Sequence, residues 1–253
     1  MPDSLQRLLA LGLSDADTRT LLDHLEEADR RGKPGHGVAR IAWLGTQSFD
    51  PAAQPRRVVV EPAYERWDSN GALGYLTLAA AVRSTLADPP ARARLVVLER
   101  CFPSGVLGIW ARLLAEGGLV AALTATSPRR LPHPGGGPPL TGTNPLAIAI
   151  PSGAGGEPLV ADVSMGAVTH GDVLAGRARP EELVPFGGPQ AHKAFALAVG
   201  LELLVGSLAG PEPGAVLLVA RPEYDPLPGF RELAAGIRLP GDAEGSRNSG
   251  AVN

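Results

Sequence analysis

Strand-like and helix-like segments alternate along this chain, and that alternation restricts its possible folds more than any other feature of the sequence. Short apolar runs such as "ARLVVLER" (93–100) are typical of strands, and longer runs such as "GVLGIWARLLAEGG" (105–118) are typical of helices. Further strands are predicted at 56–62, 119–127, 146–153, 158–166 and 214–223, and further helices at 17–32, 72–87, 191–209 and 227–238. Chains with this pattern bury a sheet against helices, so we predict an α/β fold.

The chain is long enough to bury a sizeable core as one large domain or as two lobes. It has 253 residues, 44% of them hydrophobic and 19% charged, and it shows no internal repeat. The sequence "PRRLPHPGGGPPLTGTNP" (128–145) is dense in Gly and Pro and predicts a long loop. We predict one catalytic domain of two interlocked lobes over residues 1–240 and a flexible tail over residues 241–253.

Charge and cysteine content argue against several classes of function. The net charge is −3 with no basic stripe, so we expect no nucleic-acid partner. Cys101 is the single cysteine, which rules out an intramolecular disulfide and a zinc site built on several thiolates. The five histidines lack the spacing of metal ligands, and we predict no metal site; they are His24, His36, His133, His170 and His192.

The longest apolar run, "AFALAVGLELLVGSLAG" (194–210), is short for a membrane span and carries Glu202 near its middle. We therefore predict a buried helix there and expect no membrane partner. Residues 1–20 carry charged groups throughout and do not resemble a signal peptide. Together these features predict a cytoplasmic protein.

Motifs for nucleotide and hydrolase chemistry are missing from the sequence. It contains no GxGxxG fingerprint, no GxxxxGK[ST] loop and no GxSxG elbow. The sequence patterns therefore give no argument for a Rossmann nucleotide site, a P-loop or a serine hydrolase.

The stretch "RRGKPGHGVAR" (30–40) places a histidine on a glycine-flanked turn, with an arginine four residues later. His36 could exchange a proton near neutral pH, and Arg40 could hold a carboxylate through two parallel hydrogen bonds. On spacing alone, a surface histidine and a solvated arginine explain the pair better than a catalytic site does.

Six segments occur together in an order that resembles one family. They are "EEADRRGKPGHGVARI", "WDSNGALGYLTLAAAV", "LTGTNPLAIAIP", "LVADVSMGAVTHGDV", "VPFGGPQAHKAFALAVGLELLVGSLAG" and "IRLPGD". The chain resembles the type-2 malate/L-lactate dehydrogenase family over nearly its whole length. The resemblance implies a non-Rossmann α/β fold with a mixed sheet and flanking helices, NADPH or NADH as cofactor, a small-molecule substrate and a homodimer.

The resemblance also implies roles for individual residues. His36 is implied as the proton donor to the substrate, Arg40 as the group that holds its carboxylate, and Asp162 as a third catalytic residue. The cofactor contacts that it implies are Ser127, Gly142, Thr143, Asn144, Pro145, Asp162, Val163, Ser164, Lys193, Pro240, Gly241 and Asp242.

The sequence also departs from the family pattern. Gly35 stands where the family has Ser, and Pro103 stands where it has a second histidine that serves as the acid/base in some members. Gly166 stands where the family has Ser or Thr. Residues 193–196 are Lys-Ala-Phe-Ala, where the family has Lys-Gly-Tyr-Gly. His133 is a candidate replacement for the missing histidine, and Arg129 and Arg130 are candidates to hold a 2′-phosphate.

Three functions therefore remain open. The first is an NAD(P)H-dependent reductase that acts on a C=O or C=N bond next to a carboxylate or carboxamide. The second is a degenerate family member that serves as a binding or scaffold protein. The third is a pocket used for non-redox chemistry. Turnover that disappears on His36→Ala favours the first, and a purified protein that carries a different bound molecule favours the third.

Overall fold

A seven-stranded mixed sheet is the centre of the fold. The computed structural model describes residues 3–153 and 156–242 of the chain. Within those residues the strands are β1 (Arg56–Glu61), β2 (Tyr64–Asp68), β3 (Ala93–Glu99), β4 (Val120–Ala125), β5 (Leu131–Pro132), β6 (Pro139–Thr141), β7 (Leu146–Ile150), β8 (Leu159–Val163) and β9 (Ala215–Ala220). The helices are α1 (Ser4–Leu9), α2 (Asp15–Arg30), α3 (Ile41–Leu44), α4 (Gly74–Ala87), α5 (Leu107–Glu116), α6 (His170–Leu174), α7 (Ala191–Ala209) and α8 (Leu227–Leu233).

The strand order of the large sheet is β1-β2-β3-β9-β4-β7-β8, and β5 and β6 form a separate hairpin. The pair β2 and β3 is parallel, and the other pairs of the large sheet are antiparallel. The last strand along the chain, β9, lies between β3 and β4, so that Val216 pairs with Val97 on one side and with Thr124 on the other. The predicted α/β class with a mixed sheet and flanking helices is confirmed.

Side chains alternate between the two faces of the central strands, as the period of two requires. Leu98, Leu123 and Leu217 belong to the main core with α4 and α5. Val97 and Val216 belong to a smaller core beneath α7. The helices α4 and α5 therefore cover one face of the sheet, and α7 lies along the other.

The prediction of a buried helix over 194–210 was right about the helix but wrong about its burial. The helix α7 forms, but Leu197, Leu203 and Leu204 have 51%, 63% and 47% of their surface exposed. A helix that is apolar on all sides gives no sequence signal for the side that packs, and here the sheet covers one side only. By length and composition, the stretch Gly188–Ala209 could also cross a membrane, although core helices of soluble proteins pass the same test.

Two segments expected to be irregular contain structure. The loop predicted at 128–145 contains the β5–β6 hairpin. The polar, Pro-broken stretch at 171–190, whose composition predicts a linker, contains most of α6. The predicted flexible tail begins with two ordered residues, because Arg112 donates to the Gly241 carbonyl at 2.6 Å and Leu239 N–H donates to the Asp242 carboxylate at 2.9 Å. Residues 243–253 lie outside the described part of the chain. The division of residues 1–240 into two lobes stays a prediction.

Candidate active site

The loop that follows α2 carries two of the three predicted catalytic residues, His36 and Arg40. The Ser-Asp pair at 14–15 predicts a helix N-cap, and Ser14 does cap the first turn of α2 by accepting a hydrogen bond from Asp17 N–H at 3.1 Å. At the other end Gly32 has φ +68°, and Lys33 N–H donates to the Ala28 carbonyl at 2.9 Å. This C-terminal cap turns the chain sharply, so that the next residues run back towards the sheet.

Asp29 holds the following loop in place. Its carboxylate accepts a hydrogen bond from Val38 N–H at 2.9 Å, and a Cβ at Gly37 would lie only 1.8 Å from the same carboxylate. The loop then forms two short 3₁₀ helices, Pro34–His36 and Val38–Arg40. His36 and Arg40 both line one cavity of about 330 Å³.

This cavity lies at the edge of the sheet where β3, β4 and β8 end and β7 begins. Antiparallel pairing brings the ends of β4 and β8 together with the start of β7, so loops far apart in sequence meet there. Three other segments line the remaining sides: the loop after α2, the segment before α5 and the start of α6.

Arg40 is the most constrained charged residue of the cavity. It is only 8% exposed, its guanidinium lies 3.7 Å from the centre of the Trp43 ring, and its charge interacts with the buried Tyr75 hydroxyl. Its Nε and Nη1 are buried and meet no hydrogen-bond acceptor among the residues that the structure describes. A buried guanidinium with free N–H groups is costly unless an anion binds it, and a carboxylate has the matching geometry.

His36 is neutral at physiological pH. Its pKa is lowered to about 4, mainly by burial and then by the charges of Arg40 and Lys33, against the opposing effect of Asp162 and Asp172. A neutral imidazole can accept a proton at one nitrogen and donate a hydrogen bond from the other. The arrangement therefore suits proton exchange with a ligand held by Arg40.

Asp162 occupies the border between this cavity and a second one. Its carboxylate forms an ion pair with Lys33 at 2.9 Å, and both residues line both cavities. No hydrogen bond joins Asp162 to His36 among the described residues, so its effect on that histidine is electrostatic.

The predicted signature loop 142–145 is anchored by Glu202 of α7. The Glu202 carboxylate accepts hydrogen bonds from Gly142 N–H at 3.1 Å and from Asn144 Nδ2 at 2.7 Å. Asn144 is buried with φ +31°, a backbone conformation that its side-chain hydrogen bonds help to hold. Thr143 and Pro145 consequently line the cavity, together with Ser127 and Ser164.

The second cavity, of about 460 Å³, brings together the other predicted cofactor residues. Val163, Pro240, Gly241 and Asp242 line it. Its charged lining consists of five basic and three acidic residues, namely Arg30, Arg31, Lys33, Arg112 and Arg238 with Glu27, Asp162 and Asp242. This basic cleft continues from the first cavity, because Lys33, Val106 and Asp162 are common to both.

Five residues predicted for the site line neither cavity, namely Arg129, His133, Gly142, Asn144 and Lys193. Lys193 is exposed in the first turn of α7 and lines neither cavity, so its role in cofactor binding stays a prediction. His133 packs edge-on against Phe195, with ring centres 5.1 Å apart, and does not line the cavities either. It is therefore not positioned to replace the family histidine at Pro103, which does line the first cavity.

Sequence reasoning gave no role to the cavity residues His170 and Tyr75, and it considered Arg130 only as a candidate to hold a 2′-phosphate. His170 is the first residue of α6, and its predecessor Thr169 caps that helix in a reciprocal arrangement with Asp172. The pattern "THGD" was the available signal, because a Thr followed three residues later by an acid marks a helix start. That signal places His170 on a helix but gives no indication that it reaches the cavity.

The structure explains why position 35 is glycine here, although the family has serine at that position. A Cβ there would lie 2.9 Å from Asp172 Oδ1 and 2.9 Å from Arg177 Nη2. Asp172 and Arg177 form an ion pair at 3.2 Å, and glycine leaves room for it. A serine at this position would require that pair to move.

The mixed sheet and the cavity at its edge define an α/β protein with a buried, partly unpaired arginine beside a basic cleft. The chain belongs to the malate/L-lactate dehydrogenase family, whose family model matches residues 4–184. That family and the similar curated proteins are NAD(P)-dependent dehydrogenases and reductases, which confirms the resemblance found in the sequence.

One similar protein is the Δ1-pyrroline-2-carboxylate/Δ1-piperideine-2-carboxylate reductase of Pseudomonas putida, 33% identical over 230 residues, which are 79% of this chain and 66% of the reductase. The NADP⁺-dependent (2R)-3-sulfolactate dehydrogenase of Chromohalobacter salexigens is 31% identical over 230 residues, 80% of this chain and 68% of that one. The crystal structure of Δ1-piperideine-2-carboxylate reductase from Pseudomonas syringae pathovar tomato has a TM-score of 0.80 and 28% identity, and the match covers 94% of this chain and 88% of that one. The chain thus spans about two thirds of the length of these curated relatives.

Proposed function

We propose that this protein is an NAD(P)H-dependent oxidoreductase that reduces a C=O or C=N bond next to a carboxylate or carboxamide. Membership of a family of dehydrogenases and reductases supports the reaction class. The named substrates of the similar proteins, an imine carboxylate and sulfolactate, support an acid as substrate. We also propose that the fold is not a Rossmann fold, in agreement with its largely antiparallel central sheet.

The observation that carries the proposal is the buried, partly unpaired guanidinium of Arg40 beside His36. The free Nε and Nη1 groups can each donate a charge-assisted hydrogen bond to a bound anion such as a substrate carboxylate. Trp43 packs against the guanidinium and restricts its position. His36 lines the same cavity, so a C=O or C=N group next to the bound carboxylate can reach the imidazole.

His36 exchanges the proton of the reaction. A bound carboxylate neutralises Arg40, which is one of the charges that lower the pKa of His36, so substrate binding raises that pKa. The imidazole can then take up a proton and give it to the substrate oxygen, which becomes a hydroxyl, or to the substrate nitrogen, which becomes an amine. In the reverse direction the neutral imidazole accepts the proton from a hydroxyl or amine.

The residues present fit a dinucleotide. Two adjoining cavities provide an elongated space, and the basic residues of the second cavity match the charge of a diphosphate. When bound, the reduced nicotinamide supplies a hydride to the substrate carbon. Ser127, Thr143, Pro145 and Ser164 would hold the cofactor in the first cavity, and Val163 with the segment 240–242 would hold it in the second.

A titration of the purified protein with NADPH and with NADH tests this proposal, followed by the nicotinamide fluorescence. Saturable micromolar binding of one of them is expected, and oxidation of the bound form by a 2-oxo acid or a cyclic imine carboxylate should follow. Failure to bind either nucleotide would overturn the proposal and favour a degenerate binding protein or a pocket used for another ligand.

We further propose that the protein is a homodimer, because the exposed leucines of α7 form an apolar surface of a kind that marks contacts between proteins. Light scattering behind gel filtration should give twice the chain mass, and Leu203→Glu should give the monomer. A monomeric wild type contradicts this, and a protein that needs detergent to stay in solution would point to a membrane. The cytoplasmic location and the lack of nucleic-acid and membrane partners stay predictions.

A further inference from the structure

We propose that Arg130 binds a second anionic group of the substrate, so that the preferred substrates are small acids with two negative charges. This inference rests on the proposed function and narrows its substrate class. The first anionic group is the carboxylate at Arg40. The second would be another carboxylate, a sulfonate or a phosphate, because each of these accepts hydrogen bonds from a guanidinium.

Positive groups outnumber carboxylates in the lining of the first cavity, and two of the positive groups have no carboxylate partner among the described residues. The charged residues there are Lys33, Arg40, Arg130, Asp162 and Asp172. Both carboxylates already have partners, since Asp162 is paired with Lys33 at 2.9 Å and Asp172 with Arg177 at 3.2 Å. The two guanidinium groups remain without a carboxylate partner among the residues that the structure describes.

Arg130 is built into the cavity wall. Its backbone N–H donates to the Thr141 carbonyl at 2.8 Å, and its Nη1 donates to the Pro128 carbonyl at 3.2 Å. These bonds fix the start of the β5–β6 hairpin and the direction of the side chain. Other N–H groups of the guanidinium stay available to a ligand, since an arginine has five such donors.

The electrostatics place Arg130 near Arg40 and His170. Burial lowers the pKa of Arg130, and the charge of Arg130 in turn lowers the pKa of Arg40. The pKa of His170 falls to about 4, mainly through burial and then through Arg130 and Arg40. Two partly buried positive charges that repel each other favour an anion between or beside them, and they favour a dianion more than a monoanion.

The cofactor's phosphates are the alternative source of the second negative charge. Arg130 lines the first cavity but not the second, where four other arginines lie. It shares its space with Arg40 and His170, which belong to the substrate end of the site. We therefore assign Arg130 to the substrate and not to the diphosphate.

The direct test compares two substrates with the same reducible group, oxaloacetate as the dianion and pyruvate as the monoanion, in wild type and in Arg130→Gln. In wild type, kcat/KM should be higher for oxaloacetate. Arg130→Gln should reduce that preference roughly 10- to 100-fold, mainly through KM, because a charge-assisted contact to the second carboxylate is lost. The matched control is Arg129→Gln, since the neighbouring Arg129 is exposed and does not line the cavity.

Two outcomes overturn the inference. One is an unchanged preference in Arg130→Gln. The other is a weaker affinity for NADPH with the substrate preference intact, which assigns Arg130 to the cofactor.

A second test does not depend on turnover. Malonate has two carboxylates and acetate has one, and neither has a carbonyl that the enzyme could reduce. Malonate should raise the melting temperature of the wild type more than acetate does, and Arg130→Gln should abolish the difference. If nicotinamide binding and turnover fail but this difference is present, the proposed function is wrong and the dianion site is supported. If malonate and acetate act alike on wild type, the dianion site is wrong.

Discussion

The backbone of Gly171 lies directly against the carbonyl oxygen of Gly35, so close that a Cβ at Gly171 would be 2.1 Å from that oxygen. This contact joins the first turn of α6 to the 3₁₀ helix Pro34–His36. It brings His170 and His36, each the neighbour of one of these glycines, to the same cavity.

Gly171→Ala should therefore damage the site. The added methyl group must push the two segments apart, which should cost about 1–3 kcal/mol of unfolding free energy and lower kcat/KM. Urea unfolding and steady-state kinetics measure the two effects. Gly200→Ala is the matched control, because nothing lies within 4 Å of a Cβ at this helical glycine and alanine should be neutral or slightly stabilising. Equal effects of the two substitutions would contradict this account of the glycine contact.

Arg40→Lys should separate substrate binding from cofactor binding. A lysine ammonium keeps the positive charge but cannot form two parallel hydrogen bonds or stack flat on Trp43. We expect KM for a 2-oxo acid to rise roughly 10-fold or more, with unchanged affinity for the nicotinamide nucleotide. An unchanged KM would show that the carboxylate binds elsewhere.

Lys33→Met should raise the pKa of His36 from about 4 towards its ordinary value. The substitution removes a positive charge that lowers this pKa, and it frees Asp162, which raises it, so both effects have the same sign. An NMR titration of the His36 ring protons follows the change. Lys193→Met serves as control, since Lys193 is exposed and outside the cavity; a His36 midpoint at or below 4 in Lys33→Met would contradict the prediction.

The buried His24 should make the free energy of unfolding depend on pH. It is buried, stacks on Trp110 with ring centres 4.3 Å apart, and its Nε2 accepts a hydrogen bond from Val106 N–H at 3.0 Å. Burial, with a smaller effect from His36, lowers its pKa to about 3. The unfolded chain then binds more protons than the folded one between about pH 3 and its unfolded pKa near 6.5.

The free energy of unfolding should therefore fall as the pH is lowered from about 6.5, by up to about 1.4 kcal/mol per pH unit from this residue. His36 and His170 contribute with the same sign, because their pKa values are also lowered. His24→Gln keeps an acceptor for Val106 N–H but removes the titration, so the slope measured by urea unfolding at several pH values should become shallower. The exposed His192→Gln is the control, and a slope shared by both variants would contradict the assignment.

The sequence predicted the local elements well because their signals are local. The cap at Ser14, the helix at 72–87, observed as Gly74–Ala87, and the strands at 93–100 and 119–127 all follow from spacing and end residues within one segment. The pairing of His36 with Arg40 in one cavity was predictable for the same reason, since only four residues separate them.

The rest of the site depends on contacts between distant segments. Arg130 and His170 reach the cavity only because the sheet brings β4, β7 and β8 together and because Gly171 packs on Gly35. No spacing in the sequence encodes those contacts. The exposure of α7 was missed because its apolar residues surround the helix, and only the fold decides which side is covered.

The most direct test of the proposed reaction measures NADPH or NADH oxidation by wild type and by His36→Gln, over a panel of 2-oxo acids and cyclic imine carboxylates. Wild type should turn over at least one of them. His36→Gln should lower kcat by roughly 100-fold or more while it binds the nucleotide with unchanged affinity, because the proton carrier alone is lost. A variant as active as wild type would contradict the role of His36, and the absence of any turnover by wild type would contradict the reaction itself.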